Sequence, residues 1–518
     1  MGLVGLHLGT RLYNLMALPI FNDETIYLRM AQLVRSGHWL VTFEYEGRKP
    51  LLVWLLALLW PLAKDPLVVA RVFSVVVGLA TLVHLFLFTE RRHGLRAATT
   101  AGAFYLLVPF TLFHERLGLY DSLAMLLAWG SFAAASELAS ERNRRPVLLF
   151  GLCTGLGLIN KELAYFCLAF PVAMIAASWW NRQSMAGMRL WRRTAMGWGI
   201  ALAILLVVIS APLAEYGRGF FHTAGYLIDA RQSRGLPFGQ WATNTRQISA
   251  IYWTYLGPAL IGLALAHCGL GLWRKSVSGL AAGLCWLGPT AALLLVSQRY
   301  YSRYFLFLAP IIVYSAALML NEKILPLIRR AKSSLAAAAI VAALLAVAPT
   351  FPLFWRTLTN PLVADLWPPD RDQYVEGWQS GFGSAAVLQT LRDEARNGRI
   401  AVFVAAYAGL YKDLLQLYLS GEPKIEIRVA PWAEQKPLLY FYDRDHPVAL
   451  AWEPYLPLSP PVWRTAAPLE RALFVIDPPQ IRLGRFLALN PQARPIFSVY
   501  KPGRRSMAAI LELPLPGK

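Results

Sequence analysis

The sequence predicts an α-helical polytopic membrane protein with about eleven transmembrane helices and a C-terminal α/β domain. The 518 residues are 56% hydrophobic and 15% charged, whereas soluble domains average about 45–50% apolar and about 25% charged residues. The apolar residues also come in blocks of roughly 15–25, which suffice to cross the bilayer core as helices. These observations exclude an ordinary soluble enzyme, a disordered chain and a fibrous chain.

Ten apolar blocks and an apolar start give the eleven predicted spans. Block 50–62 is not counted, because its length as a helix is only about 20 Å against the ~30 Å core. We therefore expect 50–62 to be a juxtamembrane helix in the interface. The ten blocks are 66–89, 97–113, 118–138, 146–160, 162–180, 195–214, 250–272, 277–296, 303–320 and 335–355.

The net charge of +20 is explained by basic loops on one side of the membrane, not by a nucleic-acid partner. The positive-inside rule makes these loops cytoplasmic. The region after 355 and the other loops then lie outside, in a multi-pass protein of the plasma (inner) membrane. In chain order these predicted outer loops are 21–65, about 114–121, about 160–162, 215–249 and 297–303. The basic loops contain Arg91, Arg92 and Arg96; Arg142, Arg144 and Arg145; Arg182, Arg189, Arg192 and Arg193; Arg274 and Lys275; and Lys323, Arg329, Arg330 and Lys332.

The beginning of the chain has polar residues where the first span should be apolar. Arg11 and Asn14 interrupt it. Two explanations stay open: a short first helix whose Arg11 side chain reaches outward to the interface, or a natural start that lies further upstream.

The composition changes after residue 355, so the predicted domains are 1–355 and 356–518. The second has short apolar runs at 400–405, 438–442, 448–452, 472–476 and 508–513, with a helical pattern at 385–397. Runs of this length separated by turns indicate strands, and the whole predicts a soluble extracytoplasmic α/β domain. We expect it to recognise the acceptor and to cover part of the site. Its Gly-rich stretch 377–383 (GWQSGFG) lacks the preceding strand of a nucleotide-binding fingerprint.

Ionisable residues at the outer ends of the spans are the candidate site, because charges at membrane depth are costly and functional by default. Acids beside several cations suit a site that binds a phosphate and deprotonates an acceptor. The candidate catalytic residues are Asp23, Glu24 and Asp121. The candidate phosphate-binding residues are Lys49, Arg48, Arg116, Lys161, Arg299 and Arg303.

Each candidate also has a structural interpretation. Asp23 and Glu24 could stabilise a helix N-terminus, and Asp121 could cap the span that follows it. Lys161 and Glu162 could pair with each other. The cations Lys49, Arg299 and Arg303 could be interfacial side chains; His114, Glu115 and His84 are interpreted as structural.

Five motifs occur in an order that resembles a known family: FNDETIY, GRKPLLVW, RLGLYDSL, GLINKE and RYYSRY. Over about 1–320 the chain resembles the polyprenyl-phosphate-sugar-dependent glycosyltransferases of the C superfamily (GT-C), in the branch of protein O-mannosyltransferases and aminoarabinose transferases. In aminoarabinose transferases an acid precedes the KP lysine, whereas here it is Arg48, which weakens a specific lipid A assignment.

The resemblance implies roles for individual residues. Asp23 matches the acidic residue implicated as base, with Glu24 as its neighbour, and Asp121 matches the second acidic motif. Lys49 matches the lysine that contacts the lipid phosphate, and Lys161 the lysine of the GLGL motif. Arg299 or Arg303 matches the late cation near the donor phosphate.

The expected reaction transfers a sugar from a polyprenyl-phosphate donor to an acceptor hydroxyl with inversion. The partners are then this donor, an acceptor that is protein, lipid or polysaccharide, and the bilayer. The sequence does not imply a required cofactor, although the carboxylates could hold a divalent metal. The alternatives are a transporter or flippase of a lipid-linked or anionic substrate, and a non-catalytic membrane scaffold.

Overall fold

The computed structural model describes thirteen stretches of the chain, and two compact units within it. The first unit comprises Met1–Ala17 and Leu33–Trp367, and the second Leu18–Gln32 and Pro368–Lys518. The domain boundary therefore lies after 367 instead of 355, and part of the first predicted outer loop belongs to the C-terminal unit. The described residues are 2–44, 49–139, 143–180, 184–216, 238–274, 276–297, 300–326, 348–405, 410–430, 471–476, 487, 491–504 and 507–513.

The first unit is helical throughout its described part. Its α-helices are Gly2–Leu12, Val41–Glu44, Leu51–Leu59, Pro66–Leu107, Pro109–His114, Tyr120–Glu137, Arg145–Leu158, Phe170–Trp180, Ser184–Tyr216, Phe238–Tyr255, Pro258–Trp273, Val277–Val296, Ala309–Leu318 and Phe351–Thr359. Shorter 3₁₀ or π turns are Trp60–Leu62, Glu162–Ala169, Ser302–Leu308, Met319–Ile324, Ala348–Thr350 and Pro361–Val363.

Within the described residues, five helices are long and apolar enough to cross a membrane, or six if one bent pair counts as a span. They include Pro66–Leu107, Glu162–Trp180, Arg189–Ser210, Val277–Val296 and Ser302–Ile324. The chain is thus a multi-pass membrane protein, while the number eleven stays a prediction. Most of the predicted span 335–355 lies outside the described residues.

Two glycines decide how predicted spans are divided. The prediction of separate spans 66–89 and 97–113 corresponds to a break at Gly94, whose φ of 83° interrupts the helix Pro66–Leu107. The predicted span 250–272 is bent. Helices Phe238–Tyr255 and Pro258–Trp273 meet at 111°, because Gly257 has a φ of 81° and a proline follows it.

Arg11 lies inside the first unit, so the explanation in which its side chain reaches outward to the interface is wrong. Its side chain is fully buried and its Nε donates to Glu115 Oε2 over 2.9 Å. The other guanidinium nitrogens donate to the Leu106 carbonyl and to Thr111 Oγ1, each over 3.0 Å. The Tyr105 hydroxyl also donates to Glu115. The charge of Arg11 is therefore compensated by a buried carboxylate, as a buried ion requires.

The second unit is built on a five-stranded mixed sheet. Its strands are β1 (Ile400–Ala405), β2 (Ile425–Ala430), β3 (Arg471–Ile476), β4 (Arg494–Tyr500) and β5 (Met507–Leu513), in the order β2-β1-β3-β5-β4. The pairs β1–β2 and β1–β3 are parallel, and β3–β5 and β4–β5 are antiparallel. The α/β prediction for this region is confirmed.

Helices accompany this sheet. They are Ser384–Arg396, Leu410–Leu419, Pro368–Arg371, the π turn Asp372–Glu376 and the 3₁₀ turn Pro502–Arg504. Helix Asn22–Arg35 begins in this unit. The sheet buries Phe403, Phe474 and Leu511 in its core. The predicted runs 438–442 and 448–452 lie outside the described residues.

Candidate functional site

An ion pair joins the second and third predicted outer turns in the first unit. Asp121 lies in the first turn of helix Tyr120–Glu137, and Lys161 directly precedes the turn Glu162–Ala169. The Lys161 ammonium donates to Asp121 Oδ1, with the side chains 12% and 4% exposed. Helix Tyr120–Glu137 has no side-chain cap, so the interpretation of Asp121 as a helix cap is wrong.

A second ion pair links Glu162 to the KP lysine. Lys49 Nζ lies 3.8 Å from Glu162 Oε1, and the Lys49 side chain is only 2% exposed. The alternative in which Lys161 and Glu162 pair with each other is therefore wrong. Each of the two residues forms an ion pair with a residue of another segment. Burial lowers the pKa of Lys49 to about 8, although the Glu162 carboxylate acts in the opposite direction. An anion beside Lys49 would favour its charged form.

Hydrogen bonds to backbone carbonyls hold these three segments together. The Tyr120 hydroxyl donates to the Lys49 carbonyl over 2.6 Å, and the Asn160 amide donates to the Tyr120 carbonyl over 3.1 Å. The Leu51 N–H donates to the Ile159 carbonyl over 3.2 Å. Tyr120 and Asn160 were missed at the sequence level, although each directly precedes a motif residue.

Arg303, one of the two candidates for the late cation, lies beside Lys161. It is on the 3₁₀ turn Ser302–Leu308, and its guanidinium is 4.9 Å from the Tyr301 ring centroid and 6.0 Å from that of Tyr304. Lys161 Nζ is 5.1 Å from the Tyr304 ring. His114 contacts the start of this turn, with Nε2 3.1 Å from Ser302 Oγ. Tyr304 thus bridges the two cations by cation–π contacts.

We call Lys49, Asp121, Lys161, Glu162 and Arg303 the cationic cluster. It brings together three cations and two carboxylates. The described contacts include the ion pairs Lys49–Glu162 and Lys161–Asp121 and the contact of Arg303 with the Tyr304 ring. Its members come from four separate segments and are largely withdrawn from water. Partly buried cations of this kind bind a phosphate more strongly than exposed ones, because screening is weaker.

The Arg116 guanidinium donates hydrogen bonds to backbone carbonyls of the first unit. It donates to the carbonyls of Thr357, Tyr13 and Asn14 over 2.6, 2.9 and 2.6 Å. Burial, together with the charges of Arg71 and Arg11, lowers its pKa to about 10. These contacts fix chain segments and differ from the phosphate contact expected for Arg116.

Asp23 and Glu24 belong to the second unit, in the first turn of helix Asn22–Arg35. Glu24 is fully buried, and its Oε2 accepts from the Phe21 N–H over 2.9 Å. This is the reciprocal bond of a capping box, as the structural interpretation of Glu24 predicted. Asp23 is half-buried, with Oδ1 3.5 Å from the Asn22 amide nitrogen.

The remaining candidates, Arg48 and Arg299, lie outside the described residues. Among the residues that the structure does describe, no group of three or more His, Cys, Asp or Glu side chains is arranged to hold a metal ion.

Comparison with known families supports the motif-based resemblance. Residues 48–214 match the family model of dolichyl-phosphate-mannose-protein mannosyltransferases. This segment contains Lys49, Arg116, Asp121 and Lys161. No curated protein sequence matches the chain.

Solved structures share the fold at low sequence identity. ArnT from Cupriavidus metallidurans, bound to undecaprenyl phosphate, has a TM-score of 0.63 and 14% identity over 98% of this chain and 97% of that chain. The oligosaccharyltransferase AglB from Archaeoglobus fulgidus, in complex with an inhibitory peptide and a dolichol-phosphate, has a TM-score of 0.53 and 13% identity over 80% of this chain and 62% of that chain. The predicted resemblance to GT-C glycosyltransferases is confirmed.

Proposed function

We propose that the protein is an integral-membrane glycosyltransferase that moves a sugar from a polyprenyl-phosphate donor to an acceptor hydroxyl. The observation that carries the proposal is the cationic cluster, which gathers three cations from separate segments and is built from the residues that the family motifs single out. The ArnT structure that shares this fold is bound to undecaprenyl phosphate, which supports a donor of this chemistry.

In the proposed mechanism Lys49, Lys161 and Arg303 bind the donor phosphate. The acceptor oxygen attacks the anomeric carbon, and the bond between that carbon and the phosphate oxygen breaks. The bonding electrons leave with the phosphate, and the cations stabilise its growing charge. Asp121 holds Lys161 in position through their ion pair.

Asp23 accepts the proton of the acceptor hydroxyl in this proposal. Glu24 holds the first turn of the helix that carries Asp23 by capping the Phe21 N–H. One displacement inverts the anomeric centre. Arg48 and Arg299 belong to the same proposed donor site, whereas we assign to Arg116 the positioning of backbone segments. The reaction needs no resident metal.

The proposed setting is the plasma (inner) membrane, with eleven spans, cytoplasmic basic loops and transfer on the outer face. The region after 355 is proposed to be extracytoplasmic and to recognise the acceptor, which is a protein, a lipid or a polysaccharide.

The test uses membranes containing the full chain and labelled undecaprenyl-phosphate mannose or aminoarabinose as probes. We expect release of undecaprenyl phosphate with transfer of the label, and a loss of about 100-fold or more in Asp23→Asn. Asp393→Asn is the matched control, because Asp393 is 47% exposed on the same unit. Undiminished transfer by Asp23→Asn removes Asp23 from the role of base. Movement of intact donor across the membrane without bond cleavage by the wild type would instead support the flippase alternative.

A further inference from the structure

The segment that carries Asp23 is hydrogen-bonded to the Gly-rich stretch 377–383 of the second unit. Phe21 forms an antiparallel bridge with Ser380. The Asn22 N–H donates to the Gln379 carbonyl over 2.9 Å, and the Gly381 N–H donates to the Ile20 carbonyl over 2.8 Å. These bonds fix the backbone on the N-terminal side of Asp23 directly.

Glycine at 381 is required for this contact. A Cβ atom there would lie 2.3 Å from the Ile20 carbonyl oxygen, well inside van der Waals contact with backbone that cannot rotate away. At 377 a Cβ atom would lie 2.6 Å from the Asp372 carbonyl oxygen. The glycines of GWQSGFG therefore permit close backbone approach, which explains a motif that fits no nucleotide site.

Lys501 holds the other side of this stretch. It directly follows strand β4, and its side chain is only 1% exposed. Its Nζ donates to the carbonyls of Gly377, Trp378 and Ser380 over 3.2, 3.1 and 2.7 Å. An ammonium group has three N–H donors, and these three carbonyls suffice to use all of them. The stretch is thereby attached to the rigid sheet at one defined place.

We propose that Lys501 is a positioning residue for the transfer reaction, acting through 377–381 and Ile20–Asn22 on Asp23. The connection runs from β4 to Lys501, then to three carbonyls of 377–380. From there two backbone hydrogen bonds lead to Ile20 and to Asn22, the residue before Asp23. This inference rests on the proposed role of Asp23 as base. It gives the C-terminal unit a part in placing the base, in addition to acceptor recognition.

The first experiment measures transfer kinetics of Lys501→Met in the full-length protein with the labelled undecaprenyl-phosphate sugar that the wild type accepts. A displacement of about 1 Å at a catalytic group can cost about 100-fold in rate, so we expect kcat to fall by about 10- to 100-fold. The donor KM should stay nearly unchanged, because Lys49, Lys161 and Arg303 are untouched. Lys501→Arg, which keeps a charged multiple donor, should recover part of kcat.

Two comparisons separate positioning from a general loss of structure. In an Asp23→Asn background, Lys501→Met should lower the residual transfer no further, because the residue on which it acts is already gone. Lys424→Met is the matched control, since Lys424 is exposed and makes a single 3.2 Å bond to the Arg396 carbonyl. Its kcat should equal that of the wild type.

Hydrogen exchange provides a readout that does not depend on activity. In Lys501→Met and in Gly381→Ala, the amides of Asn22 and residue 381 should exchange about tenfold faster or more, as local opening becomes easier. Gly421→Ala is the control for the second variant, because a Cβ atom there meets nothing within 4 Å.

The proposal is overturned if Lys501→Met retains wild-type kcat, or if it lowers transfer equally in the Asp23→Asn background. Unchanged exchange at both amides in both variants also overturns it. If Asp23→Asn itself transfers normally, the proposed function of Asp23 fails instead, and faster exchange would then support the attachment of 18–22 as a purely structural feature.

Discussion

Lys49 should lose its charge at mildly alkaline pH, and donor binding should weaken with it. Its side chain is 2% exposed and its Nζ lies 3.8 Å from Glu162 Oε1. Burial lowers its pKa from 10.5 to about 8. This difference corresponds to roughly 3 kcal/mol against the charged form at this position. In the proposed mechanism the charged form of Lys49 binds the anionic donor, so we expect the pKa of Lys49 to set the upper pH limit for donor binding.

The direction in which kcat/KM changes with pH follows from the charge that donor binding requires. The Lys49 ammonium loses its charge as the pH rises through its pKa. Lys49 is therefore about 10% neutral at pH 7 and about 90% neutral at pH 9. We therefore expect kcat/KM for the donor to fall about tenfold between these values, because this ratio reports the free enzyme. Initial rates with labelled undecaprenyl-phosphate sugar across pH 6–10 measure it.

Lys49→Arg provides the decisive comparison, because an arginine keeps its charge across this range. In this variant kcat/KM for the donor should not decline between pH 7 and pH 10, even if the rate at pH 7 is lower than in the wild type. Lys64→Arg, at an exposed position, should keep the wild-type profile. If kcat/KM of the wild type does not change with pH, or if it declines equally in Lys49→Arg, Lys49 does not set the upper pH limit for donor binding.

Three further predictions follow from the described contacts. Lys161→Met should raise the donor KM by about 10- to 100-fold, because a charged hydrogen bond contributes about 1.5–3 kcal/mol; Lys161→Arg should recover most of it, and an unchanged KM in Lys161→Met would place Lys161 outside the donor site. Arg11→Met should destabilise the protein by about 3–5 kcal/mol, because it leaves the buried Glu115 carboxylate without its cation. Thermal unfolding in detergent checks this against the exposed control Arg96→Met, and equal melting temperatures would contradict it. Treatment with EDTA should leave transfer unchanged, and a loss that Mg²⁺ or Mn²⁺ restores would show that a metal is required.

Elements of the fold were predictable where burial produces a continuous apolar run in the sequence. Strands β1, β3 and β5 occupy the interior of the sheet, and strands covered on both faces give continuous apolar runs. The strands at the two edges, β2 and β4, were missed, because IEIRVA and RPIFSVY mix charged or exposed residues with apolar ones. The break at Gly257 was also missed, since membrane helices tolerate Gly and Pro.

The sequence indicated residues of the cationic cluster but not which of them form ion pairs with each other. The motifs indicated Lys49, Asp121 and Lys161 together, whereas the partners of Lys161 and Glu162 depend on backbone direction. Lys161 has extended φ and ψ angles of −158° and 145°, and successive side chains on extended backbone point to opposite sides. Lys161 therefore contacts Asp121, and Glu162 contacts Lys49.

The sequence by itself determined that this is a membrane protein and indicated a set of acidic and basic motif residues as its candidate site, because hydrophobic blocks and motif residues are local properties of the chain. Only the tertiary structure decided that Arg11 is buried against Glu115, that Arg116 binds backbone carbonyls, and that Lys501 holds the stretch that borders Asp23. For Arg116 and Lys501 the physical reason is that every residue presents the same carbonyl group. A side chain that recognises carbonyls more than one hundred positions away leaves no complementary residue in the sequence, and its partner is defined only when the chain has folded.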